Sequence, residues 1–504
     1  MKKLFLTLSL LLATVTSLSA QLIFDQTYSA RNFNTSPVTV SGLKGDSFDY
    51  VVLFWCDAAS GDSVMDITFN SDTGTNYRNY EMKGLSSTAS AATGDTDTAV
   101  ELQNLLGTAN PNFLMMTITG SSGDERYIDC IYAADGAILK QSSYWKNTAN
   151  EINSMTFTAA SSVTCDARIM IYRSPKIASQ GRWQLMKSQT LSAQDISSGG
   201  TPISFTGLSG DSAIKYKVDL LIDTAADEDI IMRINSDSGS NYIHQQLGNN
   251  GGSISAANHT TTSTNITYST TGDMQNYSAI INAESGAKRL ITGNWGNNKS
   301  ASGFEQIESA VWWNNTGSDL SSLEISTVNT SSATGTAKLY RAKNPYTTAD
   351  LLPFQTIKTV AVSGDFSGGH TFTVSGDDYK LIKIEFIGTG PSNNMLVQFN
   401  SDTGSNYTRQ YLQASSSTAS AGTSTTTSYS LTEVINSSTT AGAMYIYPPS
   451  GDNRPILSTM QIGTSITQHK AGWWLNSGDN LTSVKVYGST SGSITGEIKF
   501  SVLK

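Results

Sequence analysis

Apolar and polar positions alternate along much of this chain. Met65, Ile67 and Phe69 are apolar, with Asp66 and Thr68 between them. Ile230, Met232 and Ile234 keep the same phase, as do Met395, Val397 and Phe399. A period of two predicts a β-strand with one buried face. Other apolar runs are short, rich in Val, Ile, Thr and aromatics, and divided by turn-forming residues. No long stretch keeps a 3.6-residue apolar period, and the best helical candidate is the short DTAVELQNLLG at 97–107.

Each of the three alternating runs leads into the same phrase. FNSDTGTNY (69–77), INSDSGSNY (234–242) and FNSDTGSNY (399–407) place Asn70, Asn235 and Asn400 at intervals of 165 residues. Three other landmarks repeat in the same order: a Gly-Asp turn at 45, 210 and 376, a Ser-Gly-x-x-Arg segment ending at Arg126, Arg289 and Arg454, and a tryptophan segment from 144, 312 and 473. The interval is too long for a solenoid repeat and has the size of a domain. The chain therefore reads as a leader (1–20) and three copies (21–175, 182–343 and 353–504), joined by Pro-containing polar segments. The expected fold is all-β: three tandem antiparallel β-sandwich domains, jelly-roll-like.

Within the phrase, Asn70, Asp72, Gly74, Asn76 and Tyr77 carry turn chemistry, as do Asn235, Asp237, Gly239, Asn241 and Tyr242, and Asn400, Asp402, Gly404, Asn406 and Tyr407. Asn and Asp bond nearby backbone and Gly accepts positive φ, so a hairpin is expected here, with a tyrosine opening its return strand. Ser-Gly-x-x-Arg, between two apolar runs, predicts a second hairpin. The Ser/Thr/Ala tracts at 86–98, 253–267 and 415–428 read as exposed loops.

Composition narrows the setting. Charged residues make up 14% of 504, and the formal charge of −9 becomes −11 without Lys2 and Lys3. An acidic chain without a basic run argues against nucleic-acid binding. Residues 1–20 have the basic start, apolar run and small-residue end of an export signal, and no later run is long enough to span a membrane. The mature protein is thus expected to be exported, extracellular or surface-associated. Cys56, Cys130 and Cys165 allow one disulfide and a spare thiol, with the pairing open.

A search for reactive chemistry returns little. The four histidines share no metal-type spacing, and no G-x-S-x-G elbow is present. The Gly-Asp-Ser at 45–47 and 210–212 becomes Gly-Asp-Asp in the third copy, which fits a turn rather than a nucleophile. Asn70, Asp72 and Asn76 are spaced like oxygen ligands but lack the EF-hand glycine and glutamate, which leaves room only for weak Ca²⁺ binding. No cofactor and no catalytic residue is expected. Arg126, Arg289 and Arg454 read either as partners of a carboxylate or as solvated hairpin residues. Trp145, Trp312, Trp313, Trp473 and Trp474 read as core or junction residues, or as aromatics for a glycan or an interface; neighbours on one strand face opposite sides.

FNSDTGTNY and its two relatives resemble a phrase of tailed-phage virion structural proteins, the head-decoration and tail-associated β-sandwich proteins with F-N-x-D-[ST]-G-x-N-Y. That resemblance implies a particle-surface role without catalysis. The leader departs from that group and suits a cell-encoded relative or a phage gene that acquired one. The expected function is a non-enzymatic structural or adhesive surface protein whose partners are copies of itself or a particle or cell surface. The alternative is a secreted carbohydrate-binding protein using exposed Trp and Tyr, with a glycan-cleaving enzyme less favoured.

Overall fold

The computed structural model describes residues 20–504 apart from 58, 86–87, 109–110, 121, 124, 135–136, 176–182, 214, 251–252, 270, 272–274, 284–288, 298–304, 343–352, 391–392, 416–417, 436–439, 450–452, 463–465 and 477. Nearly all of the leader, and most of both joining segments, lie outside the described residues.

The chain is all-β. Residues 21–175 form twelve strands: β1 (Gln21–Asn32), β2 (Val38–Ser41), β3 (Phe48–Cys56), β4 (Ser63–Phe69), β5 (Tyr77–Leu85), β6 (Thr88–Asp97), β7 (Val100–Leu106), β8 (Asn112–Thr119), β9 (Arg126–Ala134), β10 (Ala137–Trp145), β11 (Ser154–Ala159) and β12 (Thr164–Pro175). They make an eight-stranded sheet in the order β1-β12-β3-β8-β9-β10-β5-β6 and a four-stranded sheet in the order β2-β11-β4-β7, both antiparallel. The next twelve strands, from Trp183–Asp195 to Ser332–Ala342, and the last twelve, from Gln355–Asp365 to Ser493–Leu503, repeat both orders. The chain thus holds six sheets in three matched pairs.

One apolar cluster joins the two sheets of each pair. In the first copy Val52, Phe54, Leu114, Met116, Ile169 and Ile171 of the large sheet meet Met65, Ile67, Phe69, Val100, Leu102 and Phe157 of the small one. The alternation in β4 is visible as strict alternation of burial. Each such side chain contributes about 1.5–3 kcal/mol when withdrawn from water. The candidate helix at 97–107 is instead β7, whose Val100 and Leu102 alternate into the cluster. Period two and contact with β4 override the weak helical pattern.

Two further expectations are corrected. β4 and β5, which flank Asn70–Asn76, do not pair: β4 lies in the small sheet and β5 in the large one. The phrase is an arch from one sheet to the other, not a hairpin. Turn chemistry specifies the reversal but not the sheet that receives the chain. The Ser/Thr/Ala tracts are largely strands, namely β6, β18 (Ser253–Thr261) and β30 (Thr418–Thr426), each paired along its length with the strand before it. The Ser-Gly-x-x-Arg hairpins do form, between β8 and β9 and at the equivalent places in the other copies.

The large sheets of the first and third copies also bury part of their outer faces against each other. In β3 the residues facing away from the first cluster, Val51, Leu53 and Trp55, join Leu381, Tyr445, Leu457 and Trp473 of the third copy. At the far edge, β6, β18 and β30 touch one another, and so do β5, β17 (Tyr242–Asn250) and β29 (Tyr407–Ser415). Equivalent strands in mutual contact describe an approximate threefold arrangement. Met82, Leu247 and Leu412, again at intervals of 165, are fully buried in one shared cluster there. Gly84 allows the close approach: a Cβ on it would lie 2.8 Å from the Tyr411 carbonyl oxygen of the third copy.

Candidate functional site

Two constellations gather the chemically distinctive residues: a clasp present three times, and one cluster where the three copies meet.

The clasp is built on the arch. Asn70 and Ser71 take positive φ, as do Asn235 and Ser236, and Asn400 and Ser401. Asn tolerates this conformation, and here its side chain is also used. Asn70 Nδ2 donates to the Glu151 carbonyl (2.7 Å), and its Oδ1 accepts from the amides of Asn153 (2.7 Å) and Ser154 (3.0 Å). Asn235 and Asn400 make the equivalent bonds. Asp72 accepts from Gly74 N (3.0 Å), from Asn76 Nδ2 and from the indole Nε1 of Trp145 (2.8 Å). Asp237 with Trp313, and Asp402 with Trp474, repeat that indole bond at 2.7 Å. Tyr77, Tyr242 and Tyr407 receive their hydroxyl bonds from the amides of residues 69, 234 and 399, each at 2.8 Å.

The arginines complete it. Arg126, Arg289 and Arg454 are almost wholly buried, with guanidinium carbons 5.0, 4.9 and 4.8 Å from the ring centres of Trp145, Trp313 and Trp474. They donate to carbonyls of the following loop: Asn147 and Asn150, Asn315 and Ser318, and Asn476 and Asp479. This corrects the picture of solvated or carboxylate-paired hairpin residues. A guanidinium supplies several rigid donors and a flat face for an indole, which explains its recurrence here. Although burial alone would raise the carboxyls of Asp72, Asp237 and Asp402, the indole, amide and backbone donors hold them below the usual carboxylate range. The Asn70 and Asp72 oxygens, two of the three groups expected to suit weak Ca²⁺ binding, thus accept from N–H donors. Among the described residues no group of His, Cys, Asp and Glu is arranged to hold a metal.

All five predicted tryptophans are buried. Trp145, Trp313 and Trp474 lie in the three intersheet clusters. Trp312 and Trp473 face the other way, into contacts between copies, and Trp473 Nε1 donates to the Pro111 carbonyl of the first copy (2.7 Å). None presents an open ring face for a sugar to stack upon. The three cysteines are buried and unbridged.

The second constellation escaped the sequence reading. Lys140 on β10, Glu308 on β22 (Glu305–Trp313) and His469 on β34 (Ile466–Trp474) each stand five residues before the last tryptophan of their strand. Lys140 Nζ lies 2.9 Å from Glu308 Oε1 and 2.9 Å from Asp129 Oδ2, while His469 Nε2 contacts Glu308 Oε2. All three side chains are buried. Burial works against both charges, yet His469 and Lys140 hold the Glu308 carboxyl well below its ordinary range, and Asp129 and Glu308 hold the Lys140 ammonium above its own. Charges buried this deeply persist only when paired. A search for identical residues at equal spacing misses this position because each copy carries a different one. Aligning the three strands on their tryptophans would have found it.

No protein-family model matches the chain, and no curated protein matches it. Among solved structures, Pseudomonas aeruginosa OccK11 (OpdR) is 8% identical over 90% of this chain and 100% of that one, with a TM-score of 0.09. Pseudomonas aeruginosa OpdQ is 8% identical over 91% and 98%, with a TM-score of 0.11. Similarities this slight carry no argument about fold or activity.

Proposed function

We propose that the protein is an exported, non-enzymatic structural or adhesive component of a particle or cell surface, built as three jelly-roll-like sandwiches fused in one chain. Strand order supports the jelly-roll reading. Without the β5–β6 and β9–β10 hairpins, the sheets of a copy run β1-β12-β3-β8 and β2-β11-β4-β7, the order of two interleaved Greek keys. The added hairpins widen the larger sheet and make most of the contacts near the threefold centre.

A single observation carries the functional reading: the residues repeated most faithfully are spent on internal bonds. Asp72, Arg126 and Trp145, with their counterparts, hold arch, hairpin and core together. Such a body suits passive attachment or display, in keeping with the resemblance to virion decoration and tail-associated proteins. Fractionation of the producing cells or particles, with detection of the native chain, tests this. Enrichment in the surface or particle fraction is expected, and recovery solely as free protein would overturn it.

A further inference from the structure

Lys140, Glu308 and His469 occupy one position of the repeated fold. Their cross-strand neighbours are Met82, Leu247 and Leu412, which wall the cluster with apolar groups. A position that threefold symmetry would make uniform instead holds an ammonium, a carboxylate and an imidazole, one from each copy. Glu308 touches both of the others, and Lys140 is also held by Asp129 of its own copy.

We propose that this position is a recognition key: the inner face of each copy is an interaction surface whose partner is a different copy of the chain, never a duplicate of itself. The middle copy carries the carboxylate that both neighbours need. A first or third copy in its place would press cationic or imidazole groups together without the carboxylate that lies between them. A middle copy in place of the first would set two carboxylates against each other in a site closed to water, where an unpaired charge is least tolerated. A buried ion pair is a weak source of stability compared with well-packed apolar residues, and its best-attested use is to fix register and partner. Three closely related surfaces in one chain otherwise invite mismatched assembly, in which a copy meets its own duplicate from another molecule. The key disfavours every arrangement in which a copy stands in another's place. It holds wherever the protein works, and so stands apart from the surface role proposed above.

The test is refolding of the full chain from denaturant at high concentration, read by size exclusion with light scattering and by thermal unfolding. The wild-type chain is expected to return as a monomer. Lys140→Met, Glu308→Leu and His469→Leu together should match or exceed the wild-type Tm, yet yield a several-fold larger fraction of oligomers, because mismatched copies then meet without penalty. Glu308→Lys alone should sharply reduce the monomer yield, and adding His469→Glu, which moves the acid to the third copy, should recover part of it. Monomer at wild-type yield from the apolar triple variant would overturn the proposal. Failure of that variant to fold would do the same, by making the cluster a stabiliser rather than a discriminator. Unchanged refolding of Glu308→Lys would refute the contact itself.

Discussion

Replacing Asp402 with alanine isolates what the clasp contributes. The carboxylate accepts from Trp474 Nε1 at 2.7 Å, Asn406 Nδ2 at 2.9 Å and Gly404 N at 2.9 Å. Gly404 is exposed and can turn to water, but Trp474 is fully buried and its N–H would be stranded. A stranded buried donor costs about 1–3 kcal/mol, and a bond to a charged acceptor is worth about 1.5–3 kcal/mol. A loss of about 3 kcal/mol is expected, or roughly 3 °C for three copies that unfold in one transition. Scanning calorimetry at pH 7 measures it, and Asp72→Ala and Asp237→Ala should lose similar amounts because their indole bonds match. Asp402→Asn keeps an acceptor but turns an amide towards Asn406, so an intermediate loss of about 1–2 kcal/mol is expected. Its pH dependence has a fixed sign. The folded carboxyl sits below its unfolded value, so its contribution is present above about pH 4 and fades as pH falls through the folded value. The gap between wild type and Asp402→Asn should hold from pH 5 to 7 and narrow in stronger acid. A loss under about 0.5 kcal/mol for Asp402→Ala would refute the view that the arch residues serve folding.

Three more outcomes are expected. Asn400 sits at φ 50°, so Asn400→Ala should be less stable in urea unfolding than Asn400→Gly by about 1 kcal/mol; the opposite order would show that the backbone there is unstrained. Burial and the nearby Asp97 push the half-buried Asp66 carboxyl up to about 6, so it favours the folded state at low pH and loses that contribution as pH rises through 6. Asp66→Asn should therefore stabilise at pH 8 by about 1 kcal/mol after allowance for solvent screening, and not at pH 3.5; an equal gain at both would count against the carboxylate as the cause. Gly84→Val should force the first and third copies apart and split the calorimetric transition, whereas an unaltered single transition would contradict the close approach to Tyr411.

How much of this was legible in the sequence depended on range. The alternation at Met65, Ile67 and Phe69 revealed β4 because burial on one face needs only local order. Ser-Gly-x-x-Arg revealed its hairpin because both strands adjoin the turn. The arch at Asn70–Asn76 was legible as a reversal, but β4 finds its partners in β7 and β11, far along the chain, and no local signal names them. The small-residue tracts looked like loops because Ser, Thr and Ala bury little. They are strands because three equivalent edges meet there and bulk would hold them apart. Arg126 looked solvated because arginine usually is, whereas its burial depends on carbonyls at 147 and 150 that only the folded loop presents.

The meeting of the first and third copies has one more consequence. Leu22 and Leu503 adjoin the same apolar cluster, Lys380 pairs with Asp25 at 2.9 Å, and the Lys380 amide bonds the Leu503 carbonyl, so the first strand and the end of the last border one interface between copies. A circularly permuted gene that opens at the second copy, runs through the third, and crosses a short linker into the first should encode the same body. Sequence order along the polypeptide would then be interchangeable, while neighbourhood around the centre would not.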